Sequence, residues 1–407
     1  MPAVCFYFQV HQPFRLRRYR HAESGTKRDY FDDSKNALVL RKVADKCYLP
    51  ANRKILELIR RYHGQFRVAY SITGTAIDQM RLFAPDALAS FQELSATGAV
   101  EFLGETAYHT LASIFDADEF REQVTLHGQL MEREFGQKPR FFRNTELIYN
   151  DQIGAMLDGM GFCGIITEGA DDILDWRSPN YVYRHPEREL RILAKNYRLS
   201  DDIAFRFSNR SWPEWPLTAP KFASWVHQVS GNGVSVNLFM DYETFGEHQW
   251  EDTGIFNFLN HLPEEIFKHP DWCFLTPSEV IDRFPPVAPL SYGRLVSWAD
   301  LERDITAWKG NEMQEKALHR IYSMRASVLA RNNPATTRWW RRLQTSDHFY
   351  YMCTKWFSDG DVHAYFSPFK SPYEAFLSYM NVLDDFEQTI MPKKIQRPPA
   401  RRRREKK

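Results

Sequence analysis

Along the first two-thirds of the chain, short runs of apolar, β-branched and aromatic residues recur. Each is followed by a polar cluster and then by a stretch with helical spacing. The runs lie at 3–10, 66–73, 100–105, 141–146, 163–167, 190–195 and 234–241, with a short eighth at 273–276. Between them the helical spacing is clear at 118–135, where Phe120, Val124, Leu126, Leu130, Met131 and Phe135 form an apolar stripe, and at 151–161, which stops on Gly161. Strands alternating with helices predict parallel β/α units, and seven or eight of them in about 280 residues is the length of a closed barrel. A proline-rich segment, Phe284-Pro-Pro-Val-Ala-Pro289, then marks a boundary, and the pattern turns helical at 311–331, 339–343 and 371–390. The expected organisation is an α/β fold: a β/α barrel over 1–284, an α-helical domain over 285–392, and a basic, disordered tail at 393–407.

Composition narrows the function classes. The 407 residues are 43% hydrophobic and 26% charged, as in ordinary globular proteins. No apolar run approaches the roughly 20 residues of a membrane helix, so no membrane partner is expected. Five cysteines (Cys5, Cys47, Cys163, Cys273, Cys353) are scattered with no CxxC pair, which reads as reduced thiols, a cytoplasmic location and no structural zinc. The N-terminus lacks the features of a signal peptide. Net charge is +1, but nine of the 53 Lys and Arg fall in residues 393–407, so the rest of the chain is acidic. Nothing outside that tail suggests nucleic acid. Phe, Tyr and Trp reach 15% of the chain and often sit in polar company, as in Trp212-Pro-Glu-Trp215. Such rings suit either a heavy aromatic core or the C–H faces of sugar rings.

In β/α barrels the chemistry gathers where strands end. The first run ends in His11-Gln12-Pro13; the third in Glu105, with His109 four residues on; the fourth in Glu146; the seventh in Asp241. Either acid alone reads as a helix cap. Together, at matching ends of different strands, they point toward a site, though not to a named substrate; two carboxylates across a pocket are what glycoside hydrolysis needs, one ionised and the other protonated near neutral pH.

The chain resembles glycoside hydrolase family 57, in its α-amylase-like branch. The resemblance runs through five separated segments: His11-Gln-Pro13; Gly98-Ala-Val-Glu101-Phe-Leu-Gly-Glu105-Thr-Ala-Tyr-His109; Phe142-Arg-Asn-Thr-Glu146-Leu-Ile-Tyr149; Phe239-Met-Asp241-Tyr-Glu-Thr-Phe-Gly246; and Leu343-Gln-Thr-Ser-Asp347-His-Phe-Tyr-Tyr-Met352. The stretch from Ser297 to Asn311 adds to it. The resemblance implies an irregular (β/α)7 barrel followed by helices, and a retaining, cofactor-free and metal-free enzyme acting on α-1,4-glucans. Glu146 would be the nucleophile and Asp241 the general acid/base, with His11, Glu105, His109, Trp298, Asp304, Trp308 and Asp347 around the sugar. Trp298 and Trp308 would stack on rings, and the helical domain would cover the barrel mouth. Alternatives are a 4-α-glucanotransferase or branching enzyme of the same family, and a protein that binds α-glucan without cutting it. A zinc deacetylase or mannosidase fits poorly: Pro13, two residues after His11, offers no donor atom, and the sequence contains no HxxxH or HxxH pair. Oligomeric state is not indicated.

Overall fold

The structure, a computed structural model, describes residues 1–26, 28–355 and 367–391. The expected tail at 393–407 lies outside them. The described residues form nine strands: β1 (Ala3–Val10), β2 (Val68–Ile72), β3 (Val100–Phe102), β4 (Phe141–Arg143), β5 (Gly164–Thr167), β6 (Val182–Arg184), β7 (Arg191–Ala194), β8 (Ser235–Asp241) and β9 (Cys273–Phe274).

One sheet runs β3-β2-β1-β8 with all neighbours parallel, and β9 pairs with the start of β1. The other runs β4-β5-β7-β6, where only β6 against β7 is antiparallel. Two seams close the circuit. Gly104 bridges Phe142, with the Gly104 N–H on Phe141 O and the Arg143 N–H on Gly104 O, both 2.8 Å. On the far side, Asn196 N–H donates to Asn237 O (2.9 Å) and Asn237 Nδ2 donates to Ala194 O (3.0 Å). The result is a (β/α)7 barrel of β1, β2, β3, β4, β5, β7 and β8. It is irregular because one seam is a single bridge and the other leans on an asparagine side chain.

All seven ring strands fall on apolar runs of the sequence. The eighth run became the two-residue β9, outside the ring. β6 had no signal of its own, being three residues held by hairpin pairing to β7. The short helix-side prediction at 118–135 became the helix Ala117–Phe135, capped by Asp116, which accepts from Glu119 N–H at 3.0 Å, and ended at Gly136 with φ 67°. Its buried face is more polar than the stripe implied: Glu119, Gln123 and His127 are buried, whereas Leu126 is only half-buried.

The interior is layered by the period of two that governs strand side chains. Tyr7, Ala69, Leu103, Phe141, Ile166, Leu193 and Phe239, one from each ring strand or its end, pack as one buried cluster, with Tyr7 stacked on Phe239 at 4.8 Å. Two residues further along each strand stand Gln9, Ser71, Glu105, Arg143, Glu168, Lys195 and Asp241. The barrel therefore has an apolar floor and, one layer above it at the C-terminal mouth, a wholly polar ring.

Helices cover the outside of the first sheet in one core. The outer face of the second sheet, through Phe142, Ile165 and Ile192, shares its core with the C-terminal helices, through Leu318, Ile321, Phe349, Tyr379 and Phe386. These helices, Glu312–Ser323, Pro334–Leu343, Ser346–Tyr350 and Pro372–Ile390, are thus fixed against the barrel rather than tethered to it. That sharing positions the short helix Ser346–Tyr350 at the mouth, where Ser346 N–H donates to His109 O (2.9 Å) and Thr345 Oγ1 to Tyr108 O (3.0 Å).

Candidate active site

Glu146 follows β4 in a 3-10 turn with φ 56°, and His109, after β3, has φ 53°. Left-handed backbone costs a residue with a side chain about 1–2 kcal/mol, and such strain gathers at functional positions. Here the two strained residues meet: His109 Nε2 donates to Glu146 Oε1 at 3.3 Å. Ser346 Oγ donates to the same oxygen (2.9 Å), and Trp298 Nε1 to Oε2 (2.7 Å). Trp298 is brought there by a backbone bridge, since Val296 and Tyr149 exchange N–H···O bonds of 2.9 and 3.1 Å.

These donors decide the charge on Glu146. Burial alone would raise its pKa, but the hydrogen bond and charge of His109, with Arg143 behind, hold it below the usual value. His109 is held protonated in turn. Burial opposes its charge, yet Glu105, whose carboxylate lies 3.6 Å from Nδ1, and the hydrogen bond to Glu146 lift it to about 9. Glu105, whose burial is likewise outweighed by His109 and Arg143, is held at about 2. It also accepts from Ser71 Oγ and, at 3.4 Å, from Gln9 Nε2.

Asp241, at the end of β8, behaves in the opposite way. Burial drives its pKa well above the carboxylate range; Glu146 adds to the rise, and Arg143, His109 and Lys195 oppose it without cancelling it. Two residues on, Glu243 is buried and raised for the same first reason, with the charge of Asp241 second. It accepts from the Tyr48 hydroxyl and, at 3.3 Å, from Gln12 Nε2.

Around the acids, His11 stacks on His109 at 3.9 Å. Its Nε2 meets Asp347 Oδ2 at 2.8 Å and its Nδ1 meets Thr73 Oγ1 at 2.9 Å. The His11 and Asp347 side chains are 10% and 20% exposed, so they face the mouth, whereas Glu105 is wholly buried and supports His109 from beneath. Trp298 presents its indole N–H to Glu146 and lies 5.3 Å from the Phe239 ring.

Two expected residues stand apart from this cluster. Asp304 accepts from Thr306 N–H (2.9 Å) and Oγ1 (2.6 Å), capping the turn Thr306–Lys309. Trp308 is 2% exposed and packs on Tyr350 at 5.7 Å, so its ring is core and not a stacking face. Tyr350, on which it packs, feels the charge of the acids: its phenol is raised by burial first, then by Glu146, Cys353, Asp347 and Asp241. Sequence reasoning also passed over Arg143, Ser346, Lys195 and Glu243. Lys195 belongs to a buried network, 3.7 Å from Glu168 and 3.3 Å from Asp201, which Arg303 ties to the Trp298 carbonyl (3.1 Å). Two of these four, Arg143 and Lys195, lie at strand ends in runs already recognised.

The model of the family described as Glycosyl hydrolase family 57 matches residues 5–291. The chain belongs to that family. Over 399 residues it is 44% identical to a Methanocaldococcus jannaschii protein named "Putative alpha-amylase", covering 95% of this chain and 84% of that one. Solved structures share the fold at low identity: a 4-alpha-glucanotransferase of Thermococcus litoralis (TM-score 0.69, 13% identical, 96% of this chain), and a family 57 branching enzyme of Pyrococcus horikoshii (0.68, 16%, 94% of this chain and 88% of that one). The chain spans 60% of the length of the glucanotransferase. It is accordingly a family 57 glycoside hydrolase, and no helix of the described residues is long and apolar enough to cross a membrane.

The Trp298 hydrogen bond gives a measurable expectation. Trp298→Phe keeps an aromatic ring but removes the donor to Glu146 Oε2. A hydrogen bond to a charged group is worth about 1.5–3 kcal/mol, and about 1.4 kcal/mol is one pKa unit. If Glu146 acts as an ionised carboxylate, the acid limb of the kcat/KM–pH profile should move up by about one to two units, with the alkaline limb little changed.

Proposed function

We propose that the enzyme cleaves α-1,4-glucans with net retention, as an α-amylase working by double displacement. Glu146 attacks the anomeric carbon while Asp241 protonates the departing glycosidic oxygen; Asp241 then takes a proton from water as it attacks the glycosyl ester. The observation that carries this reading is the opposite state of two acids that feel each other's charge: Glu146 is held ionised by three donors, and Asp241 is buried into its protonated form. An ionised nucleophile beside a neutral acid is the resting state this chemistry needs. His11 and Asp347, open to the mouth, suit sugar hydroxyls, and the name of the M. jannaschii relative points to the same substrate class.

A transferase would share every step as far as the covalent intermediate, differing in whether water or a sugar hydroxyl arrives next. Proton NMR of fresh maltoheptaose products tests the choice. The expected result is net hydrolysis with α-anomers first. β-Anomers first would overturn retention, and longer and shorter chains without a rise in reducing ends would make the enzyme a glucanotransferase.

A further inference from the structure

Arg143 belongs to the polar ring but takes no part in the bond-making steps above. It is the last residue of β4, three before the nucleophile. Its side chain is wholly buried, and among the described residues Nε, Nη1 and Nη2 all lack a hydrogen-bond partner. Its guanidinium carbon lies 5.3 Å from the Phe239 ring and 5.3 Å from the Trp298 ring, and Nη1 is 3.9 Å from Glu105 Oε2. A buried cation without hydrogen bonds is costly, by several kcal/mol after relaxation. Five donors with no acceptor are not spent on holding a structure together. What this position does supply is a positive charge in the same ring as Asp241; burial opposes it, and the charges of Glu105, Glu146 and Asp241 favour it.

We propose that Arg143 is a positioning residue whose fixed charge sets the protonation of both Glu146 and Asp241, and so lets Asp241 change from acid to base during turnover. This rests on the double-displacement reading. In the free enzyme Asp241 faces Glu146 and Glu243 on one side and Arg143, His109 and Lys195 on the other. Glu146 faces His109 and Arg143, with Asp347 nearby. When Glu146 forms its bond to the anomeric carbon, its negative charge is consumed. Asp241 then loses the neighbour that favoured its proton and keeps the cations that oppose it. Having given that proton to the leaving oxygen, it stays a carboxylate. It next takes a proton from water while the water oxygen bonds to the anomeric carbon, and the ester's electron pair returns to Glu146. Of the three cations, His109 hydrogen-bonds Glu146 itself and Lys195 is paired with Glu168 and Asp201; Arg143 alone has no hydrogen bond to lose or rearrange.

The test uses the full-length enzyme with Arg143→Met and Arg143→Lys. An opposite charge close by lowers a carboxylate by about one unit or more, and Arg143 acts in that sense on both acids. Removing it should therefore raise both limbs of the kcat/KM–pH profile in the same direction by about that amount. With an activated substrate such as a maltooligosyl fluoride, Arg143→Met should also slow deglycosylation near neutral pH, so that a burst appears and the glycosyl-enzyme is seen by intact-protein mass. Arg143→Lys should keep both limbs close to wild type and show no burst. A packing role would lower activity without moving the limbs together, and limbs that stay in place in Arg143→Met would overturn the proposal. If the methionine variant does not fold, Arg143→Gln carries the same test. The wild type serves as the separate check: a bell-shaped profile with α-anomers upholds double displacement whatever the Arg143 variants do, and its absence would sink that reading first.

Discussion

Glu146→Gln should lower kcat/KM on maltooligosaccharides by on the order of 10⁴-fold or more while leaving the fold intact. The amide matches the carboxylate in size but has no charge with which to attack. It also breaks the local donor set. Trp298 Nε1 and the pair His109 Nε2 and Ser346 Oγ all donate, on opposite oxygens of the carboxylate. A glutamine turns one of those oxygens into a donor, so whichever way it flips, at least one buried N–H or O–H loses its acceptor. The loss thus falls on the nucleophile and its cradle together, and a small drop in thermal midpoint should accompany it. Replacement by glycine separates the two effects. Glu146→Gly with added azide should regain turnover of an activated glucosyl donor, because azide enters from the face the carboxylate left. The product identified by NMR should be the β-glycosyl azide. A glutamine variant that kept a tenth of wild-type activity would place the nucleophile elsewhere. A protein that only binds glucan would show no change beyond affinity.

What the sequence made legible follows from where its signals are strong. Each ring strand is a run of apolar residues bounded by polar ones, and such runs are visible without neighbours. The two acids were visible because each ends such a run. What could not be seen was register around the ring. Arg143, Lys195 and Ser71 stand two residues beyond the apolar floor formed by Phe141, Leu193 and Ala69, a relation that has meaning only once the strands are known to share an interior. Helix Ala117–Phe135 shows the same limit. His127 looks like a polar interruption of the stripe, yet it is buried, accepting from Glu105 N–H (3.3 Å) and donating to Ile72 O (2.8 Å). Its neutral form, favoured by burial, ties the third strand's end to the second. Trp308 illustrates the opposite error. In sequence an aromatic among polar residues suggests an exposed sugar platform, whereas packing against Tyr350 removes it from the surface.

Asp241→Asn should cost about 10²–10⁴-fold on maltooligosaccharides, the usual worth of general acid–base catalysis, and far less on glucosyl fluorides. A sugar alkoxide leaves poorly without a proton, so cleavage of the natural linkage depends on the acid. Fluoride leaves with little help, so the first step survives; the second, which needs a base, should then become slow and let the glycosyl-enzyme accumulate. The pH profile supplies the sign. Asp241 has a raised pKa because of burial first and Glu146 second, so its proton is lost, and activity with it, as pH rises through that value. This is the alkaline limb, and it should vanish in Asp241→Asn. The acid limb belongs to Glu146, whose pKa is lowered, and should remain. Stability gives an independent reading of the same group. Between the ordinary carboxylate pKa and the raised one, the folded enzyme holds a proton that the unfolded chain has released, so wild-type stability falls as pH rises across that window. The variant has no such proton, and its unfolding free energy measured by denaturant should lose that share of the slope. The two measurements converge on one physical fact, that the folded site holds the Asp241 proton above the ordinary carboxylate range. A lost alkaline limb with an unchanged stability slope would mean that the pKa of Asp241 is not raised in the free folded enzyme.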